Sequence, residues 1–396
     1  MFEAFAERDF RRLWGTQFVS NVGSWMQVVA QGWLVYRLTD SAFLLGFVGF
    51  ANAIPSVLLM LPGGVLADQL DRKRVVAVSQ GAQAASALFL AISIRLERIT
   101  VWQIVAAALV VGIAQSFSAP AYQAMIADLI DDRSRLSNAV AMNSLQFNLS
   151  RAIGPLIAAA TLSAWGPFWC FFANALSFLP VIYVLGRMRD RQQRSGGAID
   201  MLSRLREGFA YVRGDRVVLV LLGIVAATSL AGFPYMQLMP VLARKLFTND
   251  AAGNGYLMAA IGTGALLGAL WLSVATPRPE RMAPIITASI AGFGLALCTS
   301  PFAGRPATMV LLAVCGFAGV SGIALCNTLI QQRVPDQMRG RVMSMYTFAF
   351  FAFIPFGNLI AGAVAERWGI VAALCGLGTA LATSGLVLRP GDTSKA

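Results

Sequence analysis

Long apolar runs alternate with short polar connections along almost the whole chain. A helix rising about 1.5 Å per residue needs about 20 apolar residues to cross the hydrocarbon core of a bilayer. Read on that scale, the runs give spans near residues 13–36, 42–67, 75–94 and 101–127, a fifth centred on residue 151, and a sixth near 168–185. Six more follow near residues 217–242, 255–276, 283–301, 307–331, 342–365 and 370–388. The pattern predicts an all-α membrane protein with twelve transmembrane helices in two six-helix halves, residues 1–188 and 216–396. Between them, residues 189–215 form a basic linker whose Leu202, Leu205, Phe209 and Val212 fall on one side of an amphipathic helix, suited to the membrane surface.

Polar residues inside the spans are few, and they are ordered. In the first span Gln17, Asn21, Ser24, Gln27 and Gln31 recur at three- and four-residue steps, which places them on one helical face. That face looks into a cavity or packs on polar partners, because amides facing lipid are costly. Gln115, Ser118 and Tyr122 share a face of the fourth span; Ser144, Asn148, Arg151 and Pro155 share one of the fifth. A charge in mid-membrane costs at least about 3 kcal/mol, so Arg151 needs a reason to be there. It either ties helices together through hydrogen bonds or faces a water-filled cavity and meets something negative. The second half offers aromatics instead: Phe233 and Tyr235 around Pro234, then Tyr346, Phe348, Phe350, Phe351, Phe353 and Phe356. The candidate substrate-binding residues are therefore Arg151, Asn148, Gln17, Asn21, Gln27, Gln115, Tyr122 and Tyr235.

The halves repeat one another. Trp165-Gly166 closes the fifth span as Trp368-Gly369 closes the eleventh, LIDDRSR answers VPDQMRGR, and Gly154 answers Gly357. Where Arg151 would recur, the second half has Ile354 or Pro355, so the halves are electrostatically unequal.

Composition agrees with a polytopic membrane protein: 57% hydrophobic and 13% charged residues, with mean hydropathy +0.66 over 396 residues. The net charge of +12 lies in the loops, with 23 basic residues on the side of the termini and 7 on the other. The positive-inside rule then puts both termini in the cytoplasm, and nucleic acid is not expected as a partner. On this assignment no acid lies within a span. The first apolar run is too long for a signal-peptide core and reads as a retained span. With no histidine, and with its five cysteines scattered through apolar runs, the chain predicts no metal site and no disulfide. No nucleophile, acid-base pair or nucleotide loop appears in the spans, so neither an enzyme nor a cofactor is expected.

The segment GGVLADQLDRKR, residues 63–74, resembles the signature loop between the second and third spans of the major facilitator superfamily. Gly64, Leu66, Ala67, Asp68, Arg72, Lys73 and Arg74 match; Gln69 and Asp71 depart from it. NSLQFNLSRAIGP and LREGFAYVR resemble the branch that contains the enterobactin exporter and macrolide efflux proteins, and the likeness runs through nearly the whole chain. The resemblance implies a monomeric exporter in a bacterial cytoplasmic (inner) membrane, moving a siderophore, drug or other amphiphilic or anionic molecule by alternating access. Proton antiport is the coupling it implies, although the arginine that many proton-driven drug exporters carry in the fourth span is missing. It also implies gating roles for Gly64, Asp68, Arg72, Lys73 and Arg74 as a latch, and for Gly154 and Pro155 as the exporters' glycine-proline motif. A lysophospholipid flippase is the alternative, with Arg151 meeting a headgroup phosphate.

Overall fold

A computed structural model describes residues 3–188, 201–275 and 277–388; of residues 60–69, 133 and 201–207 only the backbone course is described. All regular structure among them is helical. The elements are α1 (Arg8–Thr39), α2 (Ala42–Gln69), α3 (Arg72–Arg95), α4 (Val101–Asp128), α5 (Leu136–Trp165), α6 (Pro167–Arg187) and α7 (Met201–Gly214). They continue with α8 (Arg216–Ala227), α9 (Met239–Leu246), α10 (Asp250–Ala275), α11 (Pro279–Thr299), α12 (Arg305–Arg333), α13 (Asp336–Ala352) and α14 (Ile354–Val387).

Nine stretches of described helix are long and apolar enough to cross a membrane. The last of these, Asp336–Val387, has 52 residues and turns at Gly369, so it makes two crossings. The 32-residue α1 and 30-residue α5 fall below that hydropathy because they carry the amide ladder and Arg151, and with them the crossings number twelve. Large apolar side chains point outward along the spans, Val274 at 84% exposure and Val78 at 72%. In water such a surface would aggregate; in lipid it is the solvated face. Trp102, Trp165 and Trp368, all exposed, stand at span ends where indoles favour the membrane-water interface.

Helix ends follow their local chemistry. Thr100 and Gln103 form a capping box at the start of α4, and Asp71 and Asp215 accept N–H groups from the first turns of α3 and α8. Gly166 and Gly369 both adopt φ of 85°, a left-handed conformation suited to glycine, and each lets the chain reverse after its Trp-Gly pair. The repeat read in the sequence is thus present in the backbone. It extends to packing: Gly154 lies against the Val22 carbonyl and Trp25 on α1, and Gly357 against the Leu230 carbonyl and Pro234.

Two spans are broken where the sequence predicts continuous helices. The seventh passes from α8 through a π turn at Thr228–Gly232 and a 3-10 turn at Pro234–Leu238 before α9. The eleventh breaks at Phe353, between α13 and α14. Pro234 and Pro355 account for both breaks, since neither can donate a backbone hydrogen bond.

The chain divides into two compact units, one of residues 1–40, 51–198 and 249–259, the other of residues 41–50, 199–248 and 260–396. Within the first, α1 packs on α5 and α6, and α3 on α4 and α6. Phe10, Leu13, Val76, Met125, Leu129, Met142, Val181 and Leu185 form a core near the start of α1. Within the second, α11 packs on α12 and α14, and the linker helix α7 on α13. In each unit we call the end at which α1 or α8 begins the entry end, and its opposite the far end.

Candidate functional site

In the first unit α1 and α5 run side by side, tied by polar side chains to backbone carbonyls. Trp14 Nε1 donates to the Met142 carbonyl at 3.0 Å, and Gln146 Nε2 to the Trp14 carbonyl at 2.6 Å. One turn on, Ser150 Oγ reaches the Phe18 carbonyl at 3.5 Å. These contacts set the register that brings Gly154 against Trp25, and Arg151 with it. The Arg151 guanidinium lies 5.6 Å from the Trp25 ring centroid, a cation-π distance, and the residue is only 9% exposed. Pro155 has no N–H to offer the Arg151 carbonyl in the helix ladder.

Residues of the predicted polar face of α1 bond both along the helix and across to its neighbours. Gln17 Nε2 donates to Asn21 Oδ1 at 3.0 Å, and Gln17 Oε1 accepts from Gln80 of α3 at 3.1 Å. Further along, Gln27 Oε1 accepts from Asn174 of α6 at 2.7 Å, and Ser177 Oγ donates to Asn174 Oδ1 at 3.2 Å. Asn148 donates to its own helix, to the Ser144 carbonyl at 2.9 Å. The site brings Arg151 and Trp25 together on the register that α1 and α5 share, with Gln17, Asn21 and Gln27 following one another along α1. Of the other candidates, Gln115 and Tyr122 stand apart within the first unit, and Tyr235 belongs to the second. Gln115 is exposed on α4, and Tyr122 packs half-buried against the entry-end core. Tyr235, 1% exposed, packs edge-on against Phe293 at 5.7 Å.

Gly64 and Asp68 lie among residues 60–69, whose side chains are outside the described set. The basic residues that follow divide their duties within the first unit. Arg72 bonds Asp128 at the end of α4 at 2.6 Å, Lys73 Nζ donates to the Met188 carbonyl at 3.1 Å, and Arg74 pairs with Asp71 at 3.2 Å. Asp71, a departure from the signature pattern, is thus the cap of α3. In the turn before α5, the Ser134 hydroxyl and N–H both donate to Asp132 and hold its carboxyl below its ordinary range.

Sequence reasoning missed Trp25, Gln80 and Asn174 at the site. Gln80 and Gln83 did carry a signal, two amides three apart in an otherwise small-residue face. Asn174 stands alone in an apolar run and gave none. Two far-end clusters were also hidden. In the second unit Glu366 Oε2 accepts the N–H groups of Ala42 at 2.7 Å and Phe43 at 3.2 Å, while Ser41 caps Leu44 at 3.2 Å. In the first, Trp33 Nε1 donates to Asp250 at 3.0 Å, Asn254 to the Val29 carbonyl at 3.0 Å, and Asn249 to Ser163 at 3.3 Å.

Residues 1–391 match the model of a family described as transmembrane secretion effectors, a division of the major facilitator superfamily. The staphyloferrin A transporter of Staphylococcus aureus is 24% identical, the match covering 90% of this chain and 89% of the relative. The multidrug efflux pump Tap of Mycolicibacterium fortuitum is 26% identical over 93% and 92%, and macrolide efflux protein A of Streptococcus pyogenes 23% over 91% and 90%. Among solved structures, the nucleoside transporter NupG superposes with TM-score 0.73 at 15% identity, covering 96% of this chain and 97% of that one. A bacterial homolog of the human lysosomal transporter Spinster, inward-facing and unoccupied, gives 0.69 at 13%, covering 98% and 94%.

Proposed function

Starting from a chain that belongs to the transmembrane secretion effectors of the major facilitator superfamily, we propose that it exports an anionic or amphiphilic organic molecule by alternating access. The family membership makes it a membrane transporter and not an enzyme. One observation carries the choice of cargo: Arg151, a charge buried midway along a membrane helix beside Trp25 of α1. The guanidinium attracts a carboxylate, phenolate or phosphate, the indole stacks on an apolar ring, and the amides hydrogen-bond the remainder. Siderophore, drug and macrolide exporters among the relatives are consistent with such a cargo.

Alternation needs contacts that form in one state and break in another. Helices α2 and α10 supply them. Residues 41–50 pack with the second unit while residues 51–59 continue in the first, and Asn249–Ala259 pack with the first while α10 continues in the second. The far-end contacts are close: a Cβ on Gly46 would collide with the Asn358 carbonyl, and one on Gly255 would stand 2.5 Å from the Ala159 Cβ. Tight packing of this kind is bistable, seated or released. With 23 basic residues on the terminal side and 7 on the other, the entry end is cytoplasmic and the far end external. The membrane is then the inner membrane of a bacterium, and the far-end contacts are the outer gate. Proton antiport is the coupling we propose for this export.

Purified protein in liposomes tests the reading: flux of a catecholate siderophore, a macrolide and a lysophospholipid, with and without a pH gradient. Gradient-dependent flux of a soluble compound is expected. Movement of the lysophospholipid alone, regardless of gradient, would make the protein a flippase.

A further inference from the structure

Two of the five cysteines meet across a helix crossing that the spacing of the sequence does not reveal. Cys170, Cys315 and Cys326 are buried, as expected of small apolar residues, whereas Cys298 and Cys375 are half-buried. They are 77 residues apart, on α11 and on α14 after its turn at Gly369. The Cys375 Sγ donates to the Cys298 carbonyl at 3.4 Å. The backbones approach closely here because Gly294 and Gly378 face each other. A Cβ on Gly378 would lie 2.9 Å from the Cys298 Cβ and 2.7 Å from its nitrogen. A disulfide between two helices requires a close backbone approach of this kind.

The pair lies near the far end. Cys298 is the second-last residue of α11, and Cys375 comes six residues after Gly369, about 9 Å along the helix. If the far end is external, as the reading above has it, the pair faces the oxidising side of the membrane, where disulfides persist.

We propose that Cys298 and Cys375 form a redox-modifiable dithiol that external disulfides oxidise to an intramolecular bond. One thiolate attacks a sulfur of a low-molecular-weight disulfide, releases one thiol and leaves a mixed disulfide. The second cysteine, as thiolate, displaces the second thiol. The protein loses two electrons and two protons in total, and the small disulfide is reduced to two thiols. The bond staples α11 to the last crossing within the second unit.

The test treats the full-length protein with oxidised glutathione, in detergent and in sealed right-side-out and inside-out vesicles. Free thiols are counted by mass after denaturation and alkylation. Oxidation is expected to lower the count from five to three and to yield one cross-linked peptide pair containing Cys298 and Cys375. Neither Cys298→Ser nor Cys375→Ser should form that cross-link. Reaction in right-side-out vesicles is expected, because glutathione disulfide does not cross the bilayer. Reaction only in inside-out vesicles would keep the dithiol and overturn the orientation. Five free thiols after oxidation in detergent, or a cross-link between other cysteines, would overturn the proposal.

Discussion

Glu366 accepts the backbone N–H of Ala42 at 2.7 Å, so a carboxylate from α14 caps the first turn of α2. Its counterpart in the repeat is Ser163, two residues before Trp165 as Glu366 is two before Trp368, and Ser163 meets Asn249 at the start of α10. One far-end contact is therefore charge-assisted and aligned with a helix dipole, and the other is a neutral bond. The electrostatic inequality that Arg151 gives the two halves recurs at their far ends.

Glu366→Ala removes the acceptor of two N–H groups. A lost helix cap costs about 1 kcal/mol, or about a five-fold shift in an equilibrium. With a cysteine placed at the buried Asn358, labelling by an impermeant maleimide from outside should rise about five-fold. Glu366→Gln, whose amide oxygen still accepts, should fall in between. An unchanged labelling rate in Glu366→Ala would exclude a gating role.

Glycine substitutions separate gate from scaffold. Gly46→Ala and Gly255→Ala place a methyl at the far-end contacts of α2 and α10. Both should bias the protein toward the externally open state and slow transport at least ten-fold, with near-normal folding. Gly112→Ala drives its methyl into the Asn52 carbonyl, inside the first unit. That change should lower thermal stability and yield in place of biasing the cycle. The three variants compared by melting temperature and accessibility decide the assignment.

The Arg72–Asp128 pair joins α3 to α4 with side chains only 11% and 19% exposed. Asp128→Asn leaves the guanidinium short of its counter-charge and should destabilise the protein by about 2 kcal/mol, less than for a fully buried pair. The exchange Arg72→Asp with Asp128→Arg should recover part of the loss, which melting of the detergent-solubilised protein would register. A loss no smaller in the exchange than in Asp128→Asn would place the stabilisation elsewhere.

The fold was legible because membrane helices announce themselves by apolar length, and because Trp-Gly pairs mark the repeat at both turns. The face of α1 was legible from three- and four-residue steps, and Gln17, Asn21 and Gln27 do bond across or along helices. What spacing cannot show is which residues meet from distant segments. Asn174, Trp25 and the thiol pair emerged only from tertiary packing. The span breaks were half legible: Pro234 and Pro355 stood in the sequence, but a proline in a membrane helix kinks in one context and breaks in another. Tyr235 is the instructive case, since an aromatic beside a proline at a break packs inward as readily as toward a cargo.

Arg151 provides the most direct test. Flux into liposomes would be measured for an anionic catecholate siderophore and a macrolide, with wild type, Arg151→Lys and Arg151→Gln matched for folding by melting temperature. If the buried guanidinium receives the negative charge of the cargo, Arg151→Gln should lower flux of the anion at least ten-fold more than flux of the macrolide, and Arg151→Lys should restore part of it. Equal losses for both compounds would make Arg151 a structural tie between helices and contradict the account.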